Sequence, residues 1–402
     1  MNNTPAILGN SPIFDSKLYI VKPRLPELGD MSEELKEMFA SGMITKGKLL
    51  AKFENDVAEH LSVKHAVAVS SCTLGMMLVH QALGLTGEII MPGFTFMATA
   101  GAAVWAGLNP VFADAYRETT TLNPESAESL ITPNTSAIVA VHNFGNPADM
   151  DELQAIADKH GLKLIYDAAH GFGAVYKGVP VGGQGDAQVY SLSPTKLLTT
   201  GEGGIVATNN DDLAAKIRMA REYGNDGNYD SAFAGLNSRM PEFSALMGIY
   251  GLKLLEEAAQ HRNKIVDLFH EELGKLPGIG FQKVREGNRN SYREFSIMVH
   301  EEDFGLTRDE LATALTAENI DTRKYYDPPV HRQTAYRQFA PSEDSLPNTN
   351  WLASHSLALP IWSHMSTEIA TKICVAIQRC YEFRDDVKVS FNKAYSTAYS
   401  NE

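Results

Sequence analysis

What most constrains this chain is the alternation of short apolar runs with helical patterns through its first two thirds. AVAVS (66–70), EIIMP (88–92), PVFADA (110–115), SAIVAVH (136–142), KLIYDA (163–168), AQVYSLS (187–193) and GGIVATN (203–209) read as strands. Between them, LGMMLVHQAL, TFMATAGAAVWAGL and ADMDELQAIADKHG carry apolar residues at helical spacing. Asp149 or Asp151 is placed to cap the last of these, and Gly161 to stop it. Strands separated by helices require a mostly parallel sheet covered on both faces. A helical stretch from Pro241 to Leu276 then reads as the hinge into a smaller domain. There EFSIMVH (294–300) is expected as a strand, RDELATALTAENI as a helix and TRKYY (322–326) as a strand. A last helix is expected over 366–387, and the polar tail SFNKAYSTAYSNE as loose chain. The expected division is a large domain over 1–255, N-terminal segment included, and a small domain over 256–402.

Charge narrows the partners. A net charge of −14 repels nucleic acid and anionic lipid, so neither is expected as partner. Cys72, Cys374 and Cys380 are too few and too irregular for a disulfide framework or a zinc knuckle, which points to a reducing compartment. The first sixteen residues lack a basic stretch followed by an apolar core, and no run approaches the ~18 apolar residues of a membrane span. The expected location is the cytoplasm.

Four segments carry chemistry. In SLSPTKLLTTGEGG (191–204), Lys196 follows a strand, with Ser191, Ser193, Thr195, Thr199 and Thr200 around it and glycines at 201, 203 and 204. A partly desolvated lysine has a lowered pKa and is a nucleophile when neutral, and the hydroxyls and amides near it suit a phosphate. A lysine in such a loop is otherwise an ordinary surface group. In KLIYDAAHGFG (163–173), Asp167 ends an apolar strand 29 residues before Lys196. Ligands of open α/β sheets bind at the carboxyl ends of strands, and a carboxylate there needs a cation. The pyridine nitrogen of pyridoxal phosphate, kept protonated by such a carboxylate, is one, and His170 is then in reach of the cofactor's phenolic oxygen. The alternatives are a helix cap or metal ligand for Asp167, and a satisfied buried histidine for His170. In SSCTLGMML (70–78), a strand meets a helix whose free N–H groups suit an anion, with Thr73 and the Leu74 amide as its holders. An ordinary Ser/Thr cap is the alternative. In PGFTFMATA (92–100), Phe96 is a ring able to stack on a flat cofactor or to pack in the core.

Two patterns mislead. GMITKGKL (42–49) nearly matches the triphosphate loop G-x-x-x-x-G-K-[ST], but Leu49 stands where the Ser or Thr belongs and no clear strand precedes it. His65, His142, His261 and His331 show no metal-ligand spacing, so no metal is expected.

Together the four segments resemble the DegT/DnrJ/EryC1/StrS family of sugar aminotransferases, over about residues 20 to 385. The carriers are Ser191-x-x-x-Thr195-Lys196 followed by Gly201-Glu202-Gly203-Gly204, Asp167-Ala168-Ala169-His170, the departed Ser70-Ser71-Cys72-Thr73-Leu74-Gly75, and Gly235-Leu236-Asn237-Ser238-Arg239-Met240. The usual Ser-Asp after that methionine is Pro241-Glu242 here. The resemblance implies an α/β fold of type I among pyridoxal-phosphate enzymes. That means a large domain with a mostly parallel, seven-stranded type of sheet flanked by helices, plus a smaller C-terminal α+β domain. It implies Lys196 as Schiff-base lysine and proton carrier, Asp167 and His170 on the ring, and Phe96 stacked on it. It implies Thr73, Leu74 and Ser191 on the phosphate, and Asn237 reaching the cofactor of a neighbouring subunit in a homodimer. The implied reaction moves an amino group from glutamate, through pyridoxamine phosphate, to a nucleotide-linked keto sugar, with C4 of dTDP-4-keto-6-deoxyglucose as the expected acceptor. A C3 transaminase, a UDP- or GDP-linked substrate and an aminocyclitol enzyme are the alternatives. A dehydratase of this family has histidine in place of the lysine, and a silent sensor would not need Lys196, Asp167 and Thr73. Arg239, Arg323 and Lys324 are the candidate cations for the nucleotide sugar.

Overall fold

The computed structural model describes residues 4–399. Seven strands form one sheet: β1 (His65–Val69), β2 (Glu88–Pro92), β3 (Asn109–Ala113), β4 (Thr135–Val141), β5 (Lys163–Asp167), β8 (Ala187–Ser191) and β9 (Gly204–Thr208), with β6 (Val175–Tyr176) and β7 (Val179–Pro180) making a separate small hairpin. Their order is β1-β9-β8-β5-β4-β2-β3, and only β9 runs against its neighbours. Every residue of β8 and β9 is buried, which is why these strands read as mostly apolar rather than alternating; the buried Gln188 of β8 is hydrogen-bonded to His142 and Gln184.

On one face lie the helices α1 (Ser32–Ser41) and α2 (Lys48–Leu61), and on the other α3 (Cys72–Ala82) and α4 (Met97–Trp105). Two more, α5 (Pro124–Ser129) and α6 (Met150–His160), follow β3 and β4. Gly161, at φ 67°, ends α6 as expected. Asp149 stands at its N-cap but makes no cap bond, because its carboxylate is taken by Arg285. The expected single hinge helix is two: α7 (Asp211–Ala220) precedes them, then α8 (Glu242–Leu252) packs on α2, and α9 (Leu255–Leu273) packs on a helix of the second layer.

That second layer is an antiparallel sheet of β10 (Ile279–Phe281), β11 (Phe295–Val299) and β12 (Ser356–Leu359), with α10 (Glu301–Phe304), α11 (Arg308–Ala317), α12 (Pro347–His355), α13 (Thr367–Glu382) and α14 (Arg384–Tyr399) around it. Phe269, Phe295, Ile297, Leu311, Leu357 and Ile377 form its core. Three expectations fail here. TRKYY is no strand; it makes one bridge, Arg323 to Ala358, because Tyr326 turns inward to the rings of Phe94 and Phe144, with Tyr325 packed beside it. The last helix is broken at Phe383, and the tail continues as α14 to Tyr399, seated by the buried Val387; residues 400–402 of that tail lie outside the described residues. The N-terminal segment, assigned by chain order to the first layer, packs on the second. Leu18 donates to the Asn319 carbonyl, accepts from Asp321 N, and is buried in the same core. No helix among the described residues is long and apolar enough to cross a membrane.

Candidate active site

The carboxyl ends of β1, β2, β4, β5 and β8 open into one cavity of about 340 Å³, closed on the other side by residues 293–294 and 325–326 of the second layer. This is where an open α/β sheet places a ligand.

Lys196 enters it from the loop after β8. That loop is knitted to itself: Leu192 N donates to the Gly203 carbonyl and Thr200 N to the Leu192 carbonyl. Thr199 Oγ1 donates to the Leu192 carbonyl at 3.1 Å and accepts from Gly201 N at 3.2 Å. The threonines of the motif therefore fix the lysine's backbone. Gly204 lets β9 lie against the start of α3, since a Cβ there would sit 2.7 Å from the Cys72 amide nitrogen. Burial, and then the Arg293 guanidinium, pull the Lys196 amine from 10.5 down to about 8. Near neutral pH a usable fraction of it is uncharged.

Asp167 ends β5 and is 6% exposed. Thr99 Oγ1 donates to it at 2.7 Å, and Thr95 and Thr99 share a hydrogen bond of 2.9 Å. Ala169 N donates at 3.1 Å, and the Cys72 thiol is 3.9 Å away. Burial pushes the carboxyl upward, and these donors hold it back. His170 lines the same cavity with its Nδ1 buried and without a hydrogen-bond partner. Burial, with the charges of Lys196 and Arg293, drives its pKa well below the ordinary value, so the ring is neutral.

Ser71 caps α3, its Oγ accepting from Leu74 N at 3.2 Å. Thr73 lines the cavity, whereas Leu74 does not and its amide is spent on that cap. The amides of Cys72 and Thr73, in the first turn, have no intrahelical acceptor. Phe96 stands at the rim, 49% exposed, with Tyr326 at 6.5 Å between ring centroids. Ser191 is buried in the cavity wall, accepting from Ser193 N at 3.4 Å.

Besides Leu74, four expected residues are not in this cavity. Asn237 is exposed, its Oδ1 accepting from Arg239 Nε at 3.2 Å. Arg239 pairs with Glu222 at 3.4 Å and lies over the Tyr223 ring. Arg323 is held by Asp321, and Lys324 by Asp309 at 2.9 Å. Sequence reading also missed residues that are there: Thr95, Cys72, Glu202, Arg293, Glu294, Tyr325 and Tyr326. The i, i+4 threonines of PGFTFMAT were a readable signal for the Asp167 support. The adjacent charges opening an apolar strand in YREFSIMV were one for Arg293 and Glu294.

The near-match to a triphosphate loop is accounted for. Glu242, 1% exposed, accepts from Gly47 N, Leu49 N and Leu50 N at 3.0, 2.9 and 3.0 Å. A carboxylate of the same chain fills the anion seat at the start of α2. The departure of Pro241-Glu242 from the usual Ser-Asp thus has a structural use.

Residues 28–378 match the profile of the DegT/DnrJ/EryC1/StrS aminotransferase family. The chain is 34% identical over 373 residues to the dTDP-3-amino-3,4,6-trideoxy-alpha-D-glucose transaminase of Streptomyces venezuelae, covering 90% of this chain and 97% of the relative. It is 32% identical over 362 residues to the dTDP-4-amino-4,6-dideoxy-D-glucose transaminase of Escherichia coli, covering 89% and 97%. Among solved structures, DesI in the presence of its TDP-sugar product matches with a TM-score of 0.91 at 34% identity, covering 98% of this chain and 100% of DesI.

Proposed function

The chain belongs to the DegT/DnrJ/EryC1/StrS aminotransferase family, whose cofactor is pyridoxal phosphate, and from that premise we propose that it moves an amino group from glutamate to C4 of dTDP-4-keto-6-deoxyglucose. The observation that carries the reaction type is the pairing, in one cavity, of a lysine amine lowered to about 8 with a buried strand-end carboxylate. Support for the acceptor is the 32% identity to a transaminase named for a dTDP-4-amino-4,6-dideoxy sugar and the likeness over nearly the whole chain to DesI, solved with a TDP-sugar product; the comparable identity of 34% to a transaminase named for a 3-amino sugar makes C3 the second reading.

The residues present fit the cofactor. Lys196 offers the amine. Asp167, buried and held by Thr99 and Ala169, offers an anion to a ring nitrogen. His170 offers an unpartnered ring nitrogen, and Phe96 a face at the rim. Thr73, Ser191 and the free amides at the start of α3 form the phosphate seat. When bound, the cofactor supplies an electron sink next to the carbon that loses its proton. The chain's own work is then proton handling and exclusion of water. Lys196 Nζ takes the proton from the amino-bearing carbon and returns one on the other side of the exchange. Asp167 keeps the ring nitrogen protonated, and neutral His170 holds the phenolic oxygen without adding charge. Lysine at 196 supports amino transfer over dehydration.

We assign Asn237 to the cavity of a second copy in a homodimer; its exposure outside its own chain's cavity supports that role. Arg239, next to it and half-exposed, belongs to the same surface. The three free thiols support a cytoplasmic location.

The test is an absorption spectrum of the cofactor-loaded protein before and after glutamate, then after candidate keto sugars, with the aminated carbon assigned by NMR. Loss of the lysine-bound cofactor band with glutamate, its return with the dTDP-linked 4-ketone, and nitrogen at C4 is the expected result. A Lys196→Ala protein that keeps both band and turnover refutes the role of the lysine. Nitrogen at C3 selects the second reading.

A further inference from the structure

Arg293 brings into the cavity a charge that none of the cofactor contacts proposed above would use. It sits just before β11, on a backbone pinned from several sides. Arg262, itself 1% exposed, donates to the carbonyls of Tyr292 and Arg293 at 2.8 and 3.1 Å and to Ser363 Oγ at 3.0 Å. Tyr292 N donates to Asn290 Oδ1 at 2.7 Å, and Glu294 N to the Phe144 carbonyl at 3.4 Å. The side chains of Arg293 and Glu294 are 7% and 5% exposed, and both line the cavity that holds Lys196. Arg293 Nη1 donates to Glu294, while Arg293 Nε is buried with no partner.

The charges there do not balance. Among the buried groups Lys196, Arg293 and Arg262 stand against Asp167 and Glu294, and Asp167 is committed to the cofactor ring; Glu202 also lines the cavity but is exposed to solvent. A buried guanidinium with an unused N–H is costly unless an anion completes it, and its planar fork suits a carboxylate. The reaction also sets a problem. The same cavity takes, in turn, an amino acid that carries carboxylate and a sugar ring that is neutral at the reacting carbon. A fixed unpaired cation suits only the first. A cation with a removable counterion on the next residue suits both.

We propose that Arg293 binds a carboxylate of the amino donor, and that Glu294 is its exchangeable counterion, released when the donor binds and restored when the neutral sugar ring takes its place. This rests on the aminotransferase reading above. Tyr325 and Tyr326, on the same wall, bound the space in which the exchange occurs.

The two half-reactions separate the roles. On cofactor-loaded protein, Arg293→Gln should weaken glutamate affinity in the donor half-reaction by roughly 10- to 100-fold, with nucleotide-sugar affinity changed by less than about threefold; the accompanying rise in the Lys196 pKa slows the proton steps of both halves alike, so affinities and not rates separate the roles. Glu294→Gln should do the reverse, weakening the nucleotide sugar while glutamate binds as well or better. Arg293→Lys should recover part of the loss. Glutarate, a dicarboxylate without an amine, provides a binding readout independent of turnover; calorimetry should show the same loss of affinity in Arg293→Gln. Equal losses of affinity for glutamate and for the nucleotide sugar, or unchanged glutarate affinity, overturn the proposal and make the pair structural. A loss confined to the nucleotide sugar would assign Arg293 to a phosphate and equally overturn it. If the wild-type protein takes no cofactor or consumes no glutamate, the aminotransferase reading falls and this one with it.

Discussion

The lowered pKa of Lys196 can be measured without any substrate. In water a lysine amine at 10.5 is almost wholly charged at neutral pH, and moving it to about 8 raises the neutral fraction at pH 7 by roughly 300-fold. Two causes dominate, burial and the Arg293 guanidinium, with Glu294 and Asp167 pulling the other way. Competitive arylation of the cofactor-free protein across roughly pH 6–11, read peptide by peptide by mass spectrometry, gives the titration of Lys196 against all other lysines at once. Its labelling should rise with a midpoint near 8, well before the surface lysines. Arg293→Gln should move that midpoint up and Glu294→Gln should move it down. There is a linked stability effect: between about 8 and 10.5 the unfolded chain binds this proton more tightly than the folded one, so stability should rise with pH in that window. A midpoint coinciding with the surface lysines would refute the argument that burial and Arg293 prepare the nucleophile, and no later kinetic result could rescue it.

Other consequences follow from single residues. Asp167→Asn keeps an acceptor oxygen for Ala169 N and turns an NH2 toward the Thr99 hydroxyl, which can accept in place of donating, but it removes the charge, so melting temperature should hold while turnover at saturating cofactor falls on the order of 100-fold. Glu242→Ala strips the acceptor from three amides of the α2 start, which should cost at least about 3 kcal/mol in denaturant unfolding; Glu242→Gln should cost less. His80 and His142 are buried and held neutral, each with a pKa of about 4 set mainly by burial. Below pH 6.5 the unfolded chain gains protons that the folded one refuses, so stability should fall from there toward pH 4, by a few kcal/mol for each histidine. His142→Asn should flatten that slope, and an unchanged slope would remove His142 from the account.

The sheet was legible because of where it lies. Strands buried on both faces are mostly apolar, and the sheet strands show short apolar runs with polar residues chiefly at their ends, such as Glu88, Asn109 and Lys163, and one buried exception, Gln188 in β8. The same local logic misplaced TRKYY, whose β-branched and aromatic residues suit a strand but whose Tyr326 is drawn to Phe94 and Phe144 of the first layer. The tail misled for a related reason: its composition is polar, yet it extends a helix anchored just ahead of it by the buried Val387, and its first residue, Ser390, donates to the Ile7 carbonyl.

The site divides in the same way. Lys196, Asp167, His170, Thr73, Phe96 and Ser191 come from loops that directly follow strands, so order along the chain implies neighbourhood in space, and they meet in one cavity. The expected sugar-binding cations fail that logic. Arg239, Arg323 and Lys324 were chosen as charges near a motif, but a charge near a motif is available only if no carboxylate has taken it. Glu222, Asp321 and Asp309 are such carboxylates, and for Arg239 the partner lies 17 residues away in sequence. Arg293 is the opposite case. It reads as an edge charge before a strand, and only the packing of the second layer over the first buries it beside Lys196, where it alters the nucleophile. Chemistry carried by one layer could be read from order along the chain; chemistry that depends on two layers meeting could not.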